Sequence, residues 1–256
     1  MDTRIVGVDC ATDPAKTGLA FGYFKGGRVN AERAFVCAKH EEPAALILDW
    51  LAGSEGRALL AIDAPLGWPA AMGGALARHA AGAGIAVEPN LLFRRETDRF
   101  IQRTIGKTPL DVGADRIART AHAALALLAK LRIRIDLDIP LAWSPDFTQS
   151  VAAIEVYPSA TLKVRGIRSA GYKKPGDRIE RDGVIEALAT LMGLPKDVSA
   201  MSERADALDA AVCLLAAGDF LEGSAVPPVF QELAVKEGWI WVRSTENQDG
   251  SRANQQ

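Results

Sequence analysis

The stretch Arg4-Ile5-Val6-Gly7-Val8-Asp9-Cys10 decides the fold. Its apolar residues predict a buried strand over residues 4–10, ending next to a single carboxylate. Two further strand patterns follow at residues 17–25 and 28–37, and Lys25-Gly26-Gly27-Arg28 supplies the hairpin turn between them. The chain therefore begins with three successive antiparallel strands.

The next two segments predict how the sheet continues. Pro43 to Gly53 has helical spacing, and Ala58 to Asp63 is an almost wholly apolar run that is typical of a buried parallel strand. Three antiparallel strands, a helix and a buried strand predict an α/β fold, a mixed sheet built through one right-handed crossover.

The pattern changes after Gly67, where glycine-rich and alanine-rich helical segments replace the strands as far as about Ser150. We interpret residues 67–150 as a helical insertion in a single domain of residues 1–243, and the polar residues 244–256 as a disordered tail. The predicted elements are helices Pro69–Ala83 and Ala114–Leu131, strand Val151–Tyr157, helices Arg178–Met192 and Glu203–Leu221, the second capped by Ser202, and strand Gly238–Val242.

The composition predicts an ordinary globular protein. Apolar residues make up 48% and charged residues 24% of the 256 positions, and no run of 18 apolar residues predicts a membrane span. The N-terminus enters a strand pattern without the features of a signal peptide. Cys10, Cys37 and Cys213 are widely spaced in apolar surroundings, so we expect reduced packing thiols in a cytoplasmic protein.

The charge distribution is polarised. The net charge of −2 argues against a protein that binds nucleic acid over its whole surface. However, residues 94–134 carry ten Lys or Arg against four Asp or Glu, and residues 163–181 carry seven against two. These two segments could line a basic groove for phosphates, or the first could equally be a solvated helix face.

Lone carboxylates occur in four apolar segments, namely at Asp9, at Asp63, at Glu155 and in the helical pair Asp206 and Asp209. A carboxylate in a segment built for burial costs several kcal/mol unless it is compensated. One acid of the helical pair could cap the helix or form a salt bridge. For the whole set, a divalent metal is the simplest shared partner.

The positions of these acids predict a common site. Groups at the carboxyl ends of adjacent strands converge on one crevice of an open sheet, as expected for Asp9 and Asp63. Asp206 and Asp209 lie three residues apart, hence on one face of their helix. Such a set can hold two Mg²⁺ or Mn²⁺ ions about 3.5–4 Å apart, the arrangement that hydrolyses phosphodiesters.

Other chemistries have less support in the sequence. His40, His79 and His122 share no metal-ligand spacing. Gly106-Lys107-Thr108 lacks the earlier glycine of a phosphate-binding P-loop, and no Gly-x-Ser-x-Gly motif of a serine hydrolase is present.

Several motifs together resemble domain-of-unknown-function family 429, regarded as predicted nucleases with a ribonuclease H fold. The motifs are Gly7–Ala11, Ile62-Asp63-Ala64-Pro65-Leu66-Gly67-Trp68-Pro69, Arg95–Asp98, Ile154-Glu155-Val156-Tyr157-Pro158-Ser159-Ala160, Asp206–Ala211 and Glu237–Ile240. The resemblance implies a ribonuclease H-like mixed sheet of five strands flanked by helices, and nuclease activity.

A more distant likeness links the segment from Glu155 to Asp209 with crossover-junction resolvases. It implies that Asp9, Asp63, Asp206 and Asp209 are metal ligands, and that Lys163 with Lys173 or Lys174 faces the substrate phosphate. The chain departs from those enzymes in having Asp63 where they have Glu and in carrying the insertion 67–150.

The sequence therefore predicts a metal-dependent nuclease that acts on DNA or RNA. We expect Asp9, Asp63 and Asp209 to bind the metal, with Asp206 and Glu155 completing the site or supporting it. Arg94 and Arg95 are predicted to contact the substrate phosphate together with the lysines named above. Arg95 and Lys163 are predicted to lie nearest the scissile phosphate. Asp98 could orient an arginine or bind metal. The alternatives are phosphate chemistry on a small molecule and a protein that only binds.

Overall fold

A five-stranded mixed sheet lies at the centre of the structure, a computed structural model that describes residues 2–53, 56–113 and 115–245. The strands are β1 (Thr3–Asp9), β2 (Gly18–Lys25), β3 (Arg28–Val36), β4 (Ala58–Asp63) and β5 (Val151–Glu155). The helices of the described residues are α1 (Pro43–Leu51), α2 (Ala70–Leu76), α3 (Pro89–Phe93), α4 (Glu96–Ile105), α5 (Asp115–Ile135), α6 (Pro158–Lys163), α7 (Arg178–Leu191), α8 (Ser199–Glu203), α9 (Ala205–Leu221) and α10 (Gln231–Glu237).

The strand order is β3-β2-β1-β4-β5. β1, β2 and β3 pair antiparallel, whereas β1, β4 and β5 run parallel. This confirms the predicted mixed sheet, and its order and directions agree with a ribonuclease H-like fold. Asp9 lies opposite Asp63 in the parallel pair β1–β4, so both acids stand at the carboxyl ends of adjacent strands.

Both faces of the central strands are buried. Ile5 and Leu59 pack under α7 and α9, while the next residues, Val6 and Leu60, pack under α1 and α5. Because a strand alternates its side chains between the two faces, a strand covered on both sides must be apolar throughout. The continuous apolar sequences of β1 and β4 therefore follow from the position of these strands inside the sheet.

Two glycines allow α9 to lie directly against the sheet. A Cβ atom at Gly7 would lie 2.0 Å from the carbonyl oxygen of Ala210, and one at Gly18 would lie 2.0 Å from that of Asp206. The contact is therefore between the backbones of β1, β2 and α9. This close approach carries the acidic start of α9 to the ends of β1 and β4.

Gly7→Ala is expected to destabilise the protein by about 3 kcal/mol, because backbone on both sides of the contact cannot move aside as a side chain could. Gly183→Ala is the matched control, since Gly183 lies exposed within α7 and a Cβ there meets nothing within 4 Å. That variant should gain roughly 0.5–1 kcal/mol from helix propensity. Chemical denaturation measures both, and equal stability of Gly7→Ala and wild type would refute the contact.

Three predicted boundaries are wrong. The helix predicted over Pro69–Ala83 ends at Leu76. None of the residues of α2 is buried, so the helix gains little stability from packing. Ser202 does not cap the late helix, because it lies inside α8 and its hydroxyl donates to Asp182. Gly238–Val242 is not a strand. Ile240 makes a single bridge to Glu155, and Leu141 makes another to Ala153 of the same strand.

The segment between β4 and β5 (residues 64–150) contains α2 to α5, and α4 was not predicted there. α4 buries Thr97, Asp98, Ile101 and Ile105, a face that is half polar, so apolar periodicity does not reveal it. Most of the predicted tail, residues 246–256, lies outside the described residues. None of the described helices has the length and apolar character needed to cross a bilayer.

Candidate metal centre

Three carboxylates converge at the carboxyl ends of β1 and β4. Asp9 and Asp63 come from these strands, and Asp209 comes from the second turn of α9. One oxygen from each lies within 4.8 Å of the others. The structure thus brings together the three acids that the sequence predicts as the core of the site.

Asp209 is held from two sides by consecutive residues. The hydroxyl of Tyr172 donates to its Oδ1 at 2.7 Å, and the ammonium of Lys173 lies 2.6 Å from its Oδ2. Asp209 is 1% exposed. Tyr172 was not predicted, and Lys173 was predicted to contact phosphate. The structure places both on a metal-ligand candidate, which fixes the direction of that carboxylate.

The electrostatics of the cluster favour cations. Burial and the charges of Asp209 and Asp63 raise the pKa of Asp9 well above its usual value. Burial is also the main cause that raises the pKa of Asp63 to about 7. Burial opposes the charged form of Lys173, but the charges of Asp209, Asp63 and Asp9 together raise its pKa. Without a cation, Asp9 and Asp63 therefore hold protons at pH values where an ordinary aspartate would have lost them.

The metal-free protein is expected to lose stability as the pH rises from about 4 to about 7. With folded pKa values above the ordinary 3.8, Asp9 and Asp63 make the folded state bind more protons than the unfolded state in this interval. Thermal melts in chelator at pH 5 to 8 measure the loss, and Asp63→Asn should reduce it. Mn²⁺ should reverse the trend, because metal ligands must be deprotonated. Identical pH profiles with and without Mn²⁺ would contradict this expectation.

The donor set fits a hard divalent cation. Three ionised carboxylates and the Lys173 ammonium sum to a charge of −2, which one divalent ion cancels. All three donors are oxygen atoms, the ligands that Mg²⁺ and Mn²⁺ prefer. Among the described residues, neither histidine nor cysteine belongs to the cluster. The residues present therefore fit the predicted metals.

Asp206 lies beside this cluster rather than in it. Its Oδ2 pairs with the guanidinium of Arg204 at 2.9 Å, and its side chain is 37% exposed. Its negative charge is a minor contribution to the raised pKa of Asp9. Asp206 and Asp209 share a helix face, but the packing of α9 directs only Asp209 toward the strands.

Glu155 and Arg95 form a buried ion pair next to Asp63. Arg95 donates to both carboxylate oxygens of Glu155 at 2.7 and 2.8 Å, and to both oxygens of Asp98 at 2.8 and 3.1 Å. Its remaining N–H donates to the carbonyl of Glu237 at 3.0 Å. All five donors are thus used. Arg95 is 1% exposed.

The prediction that Arg95 lies nearest the scissile phosphate is therefore wrong, because no donor of its guanidinium remains for a phosphate oxygen. Asp98 was predicted either to orient an arginine or to bind metal, and in the structure it binds Arg95. Glu155 likewise binds Arg95 and the backbone N–H of Leu66, at 2.9 Å, instead of completing the three-acid cluster. Burial raises its pKa against the effect of Arg95.

The other predicted phosphate contacts differ in their exposure and in the groups that they already bind. Arg94 pairs with Asp111 at 2.8 Å. Lys163 is exposed, and its ammonium donates to the carbonyl of Gly106 at 2.8 Å. Lys174 is exposed, two residues from Tyr172. Of the predicted cations, Lys173 is thus the one in contact with the acid cluster.

A cleft of about 280 Å³ contains the acids of β1 and β4. Pro109, Leu110, Ile117 and Thr120 of the segment between β4 and β5 form one wall, and Tyr157 and Lys173 contribute to the rest. The wall was predicted to be basic. It is mostly apolar. Arg95 and Asp98 of the same segment also line the cleft but bind each other, whereas Arg94, Arg99 and Arg103 pair with acids elsewhere in the segment.

A family model described as a protein of unknown function, DUF429, matches residues 7–232. The comparisons with curated proteins and with solved structures gave no match. The matched range includes all three acids and both residues that hold Asp209.

Proposed function

The chain belongs to the DUF429 family, and from that premise we propose that it is a metal-dependent nuclease that hydrolyses phosphodiester bonds of DNA or RNA. The observation that carries the proposal is the convergence of Asp9, Asp63 and Asp209 within 4.8 Å at the open end of the sheet. A cluster of buried acids costs stability unless a cation compensates it, so its retention calls for a functional reason.

In this proposal Asp9, Asp63 and Asp209 would hold Mg²⁺ or Mn²⁺ in a two-metal arrangement. The acids and Lys173 balance the charge of one ion, and the negative charge of the bound phosphate would help to balance that of the second. When bound, such ions activate water and stabilise the leaving oxygen of a phosphodiester. Tyr172 keeps Asp209 in a fixed orientation through its 2.7 Å hydrogen bond. Lys173 supplies positive charge beside the acids, where a phosphate would bind.

The proposal includes a nucleic-acid partner and a cytoplasmic location. The lysines around the cleft support the first. Three buried free cysteines support the second, since the reducing cytoplasm maintains thiols.

Labelled single-stranded, duplex and branched oligonucleotides, of DNA and of RNA, test the proposal when incubated with the protein and Mn²⁺. We expect cleavage of at least one of them, abolished by chelator and by Asp9→Asn. Absence of cleavage of every substrate, in protein that binds Mn²⁺, would contradict nuclease activity.

The size of the cleft favours one alternative. A volume of about 280 Å³ is close to the lower end of ordinary small-molecule pockets, roughly 300–1,000 Å³. The second candidate is therefore phosphate hydrolysis or phosphoryl transfer on a small molecule. Release of p-nitrophenol from p-nitrophenyl phosphate, in the absence of oligonucleotide cleavage, would favour it. Oligonucleotide binding with neither activity would indicate a non-catalytic binding protein.

A further inference from the structure

Lys107, two residues before Pro109 of the cleft wall, and Lys163 lack a carboxylate partner among the described residues. Lys163 donates to the carbonyl of Gly106 at 2.8 Å, and Lys107, the next residue after Gly106, donates to the carbonyl of Ser169 at 2.9 Å. These bonds bring the end of α4 against the segment that follows α6. Carbonyl oxygens leave the full positive charge of both ammonium groups available to an anion.

These lysines and Lys173 form one positive group. Burial is the main cause that lowers the pKa of Lys107, and the charges of Lys163 and Lys173 lower it further. The ammonium group of Lys107 is thus close enough to those of Lys163 and Lys173 for both to repel it. Lys173 already faces Asp209, so Lys107 and Lys163 extend the positive charge away from the acids.

One wall of the cleft presents an exposed apolar surface. Leu110 is 70% exposed although it lines the cleft that holds Asp9 and Asp63. Pro109 and Ile117 lie in the same wall, and Tyr157 lines the cleft as well. Proteins that bind single strands combine apolar or aromatic surfaces for the bases with cations along the backbone.

The volume of the cleft favours a single strand over a duplex as the ligand. The substrate phosphate must approach Asp9, Asp63 and Lys173, which line a cleft of about 280 Å³. That volume is comparable to one nucleotide and much smaller than a segment of double helix. A duplex would have to open before its phosphate could meet the acids.

We propose that Lys107 and Lys163 form a phosphate subsite next to the acid cluster, and that the protein binds nucleic acid as a single strand. The scissile phosphate lies at Lys173 and the acids, a neighbouring phosphate lies at Lys107 and Lys163, and a base packs on Leu110 and Tyr157. The choice of nucleic acid as the ligand rests on the proposed nuclease function.

Fluorescence anisotropy in chelator tests this subsite without requiring metal or cleavage. A labelled 12-nucleotide single strand should bind at least about tenfold more tightly than a hairpin duplex of the same sequence. Lys107→Ala/Lys163→Ala should weaken single-strand binding about tenfold or more, and should reduce the slope of log Kd against log salt by about 1–2.

Lys196→Ala is the matched control, because exposed Lys196 lies in a groove beside β3, at the opposite edge of the sheet. It should bind like wild type, and Lys163→Arg should retain most of the affinity. Equal affinity for duplex, no measurable binding, or wild-type affinity of the double variant would overturn the subsite. Failure of the proposed function shows separately, as single-strand binding without cleavage in Mn²⁺.

Discussion

Asp9→Asn is expected to lower the rate of Mn²⁺-dependent phosphodiester cleavage by about a hundredfold to a thousandfold or more. Asp9 faces both other acids of the cluster, and an amide in its place removes one anionic ligand from the centre of the site. Single-turnover cleavage of a labelled oligonucleotide measures the effect. Nucleic-acid binding should persist or improve, because the substitution removes negative charge beside the phosphate.

Stability separates this loss from a folding defect. Asn resembles the protonated form that the raised pKa of Asp9 favours in the metal-free protein, so Asp9→Asn should melt at or above the wild-type temperature in chelator. Asp138→Asn is the control, since it makes the same change at a carboxylate whose side chain is 83% exposed. It should cleave normally. Full activity of Asp9→Asn would eliminate the nuclease proposal and advance small-molecule chemistry.

Arg95→Met should destabilise the protein by about 3–5 kcal/mol, the usual cost of removing one partner from a buried ion pair. The variant leaves the carboxylates of Asp98 and Glu155 buried, with side chains 0% and 3% exposed, and removes five hydrogen bonds. For a chain of this size the melting temperature should fall by about 10 °C or more. Differential scanning calorimetry measures it.

Arg103→Met is the matched control for this prediction. Its guanidinium pairs with Glu96 at 2.8 Å, but its side chain is 60% exposed, so its loss should cost less than about 1 kcal/mol. Arg95→Met/Glu155→Gln should recover part of the stability, because it removes one of the two stranded charges. A melting temperature of Arg95→Met equal to that of Arg103→Met would show that the buried network contributes no net stability.

The sheet and two of its acids could be predicted because the relevant signals are local. β1 and β4 are apolar on both faces and each ends at a carboxylate, and parallel strands place their carboxyl ends together. Asp209 was predicted to bind the metal with them, and Asp206 to complete or support the site, because the two acids share a helix face. In the structure α9 packs on the backbones of Gly7 and Gly18, and an oxygen of Asp209, not of Asp206, lies within 4.8 Å of those of Asp9 and Asp63, which the spacing of three residues does not encode.

The partners of the charged residues could not be predicted, since they are far apart in the chain. Arg95 and Glu155 are separated by 60 positions, and a cluster of arginines gives no sign of which acids will neutralise it. Tyr172 carries no motif that assigns it to Asp209. α4 was missed because a helix whose buried face contains Thr97 and Asp98 lacks the apolar period on which helix prediction depends.

The most direct test of the metal centre is X-ray diffraction from crystals soaked in Mn²⁺, recorded at a wavelength where manganese scatters anomalously. We expect an anomalous peak within about 2.0–2.4 Å of carboxylate oxygens of Asp9, Asp63 and Asp209. The same experiment on Asp209→Asn should show a weaker peak or none. A wild-type map with no peak at these three residues, from crystals that bind manganese elsewhere, would show that the three acids do not form a metal centre.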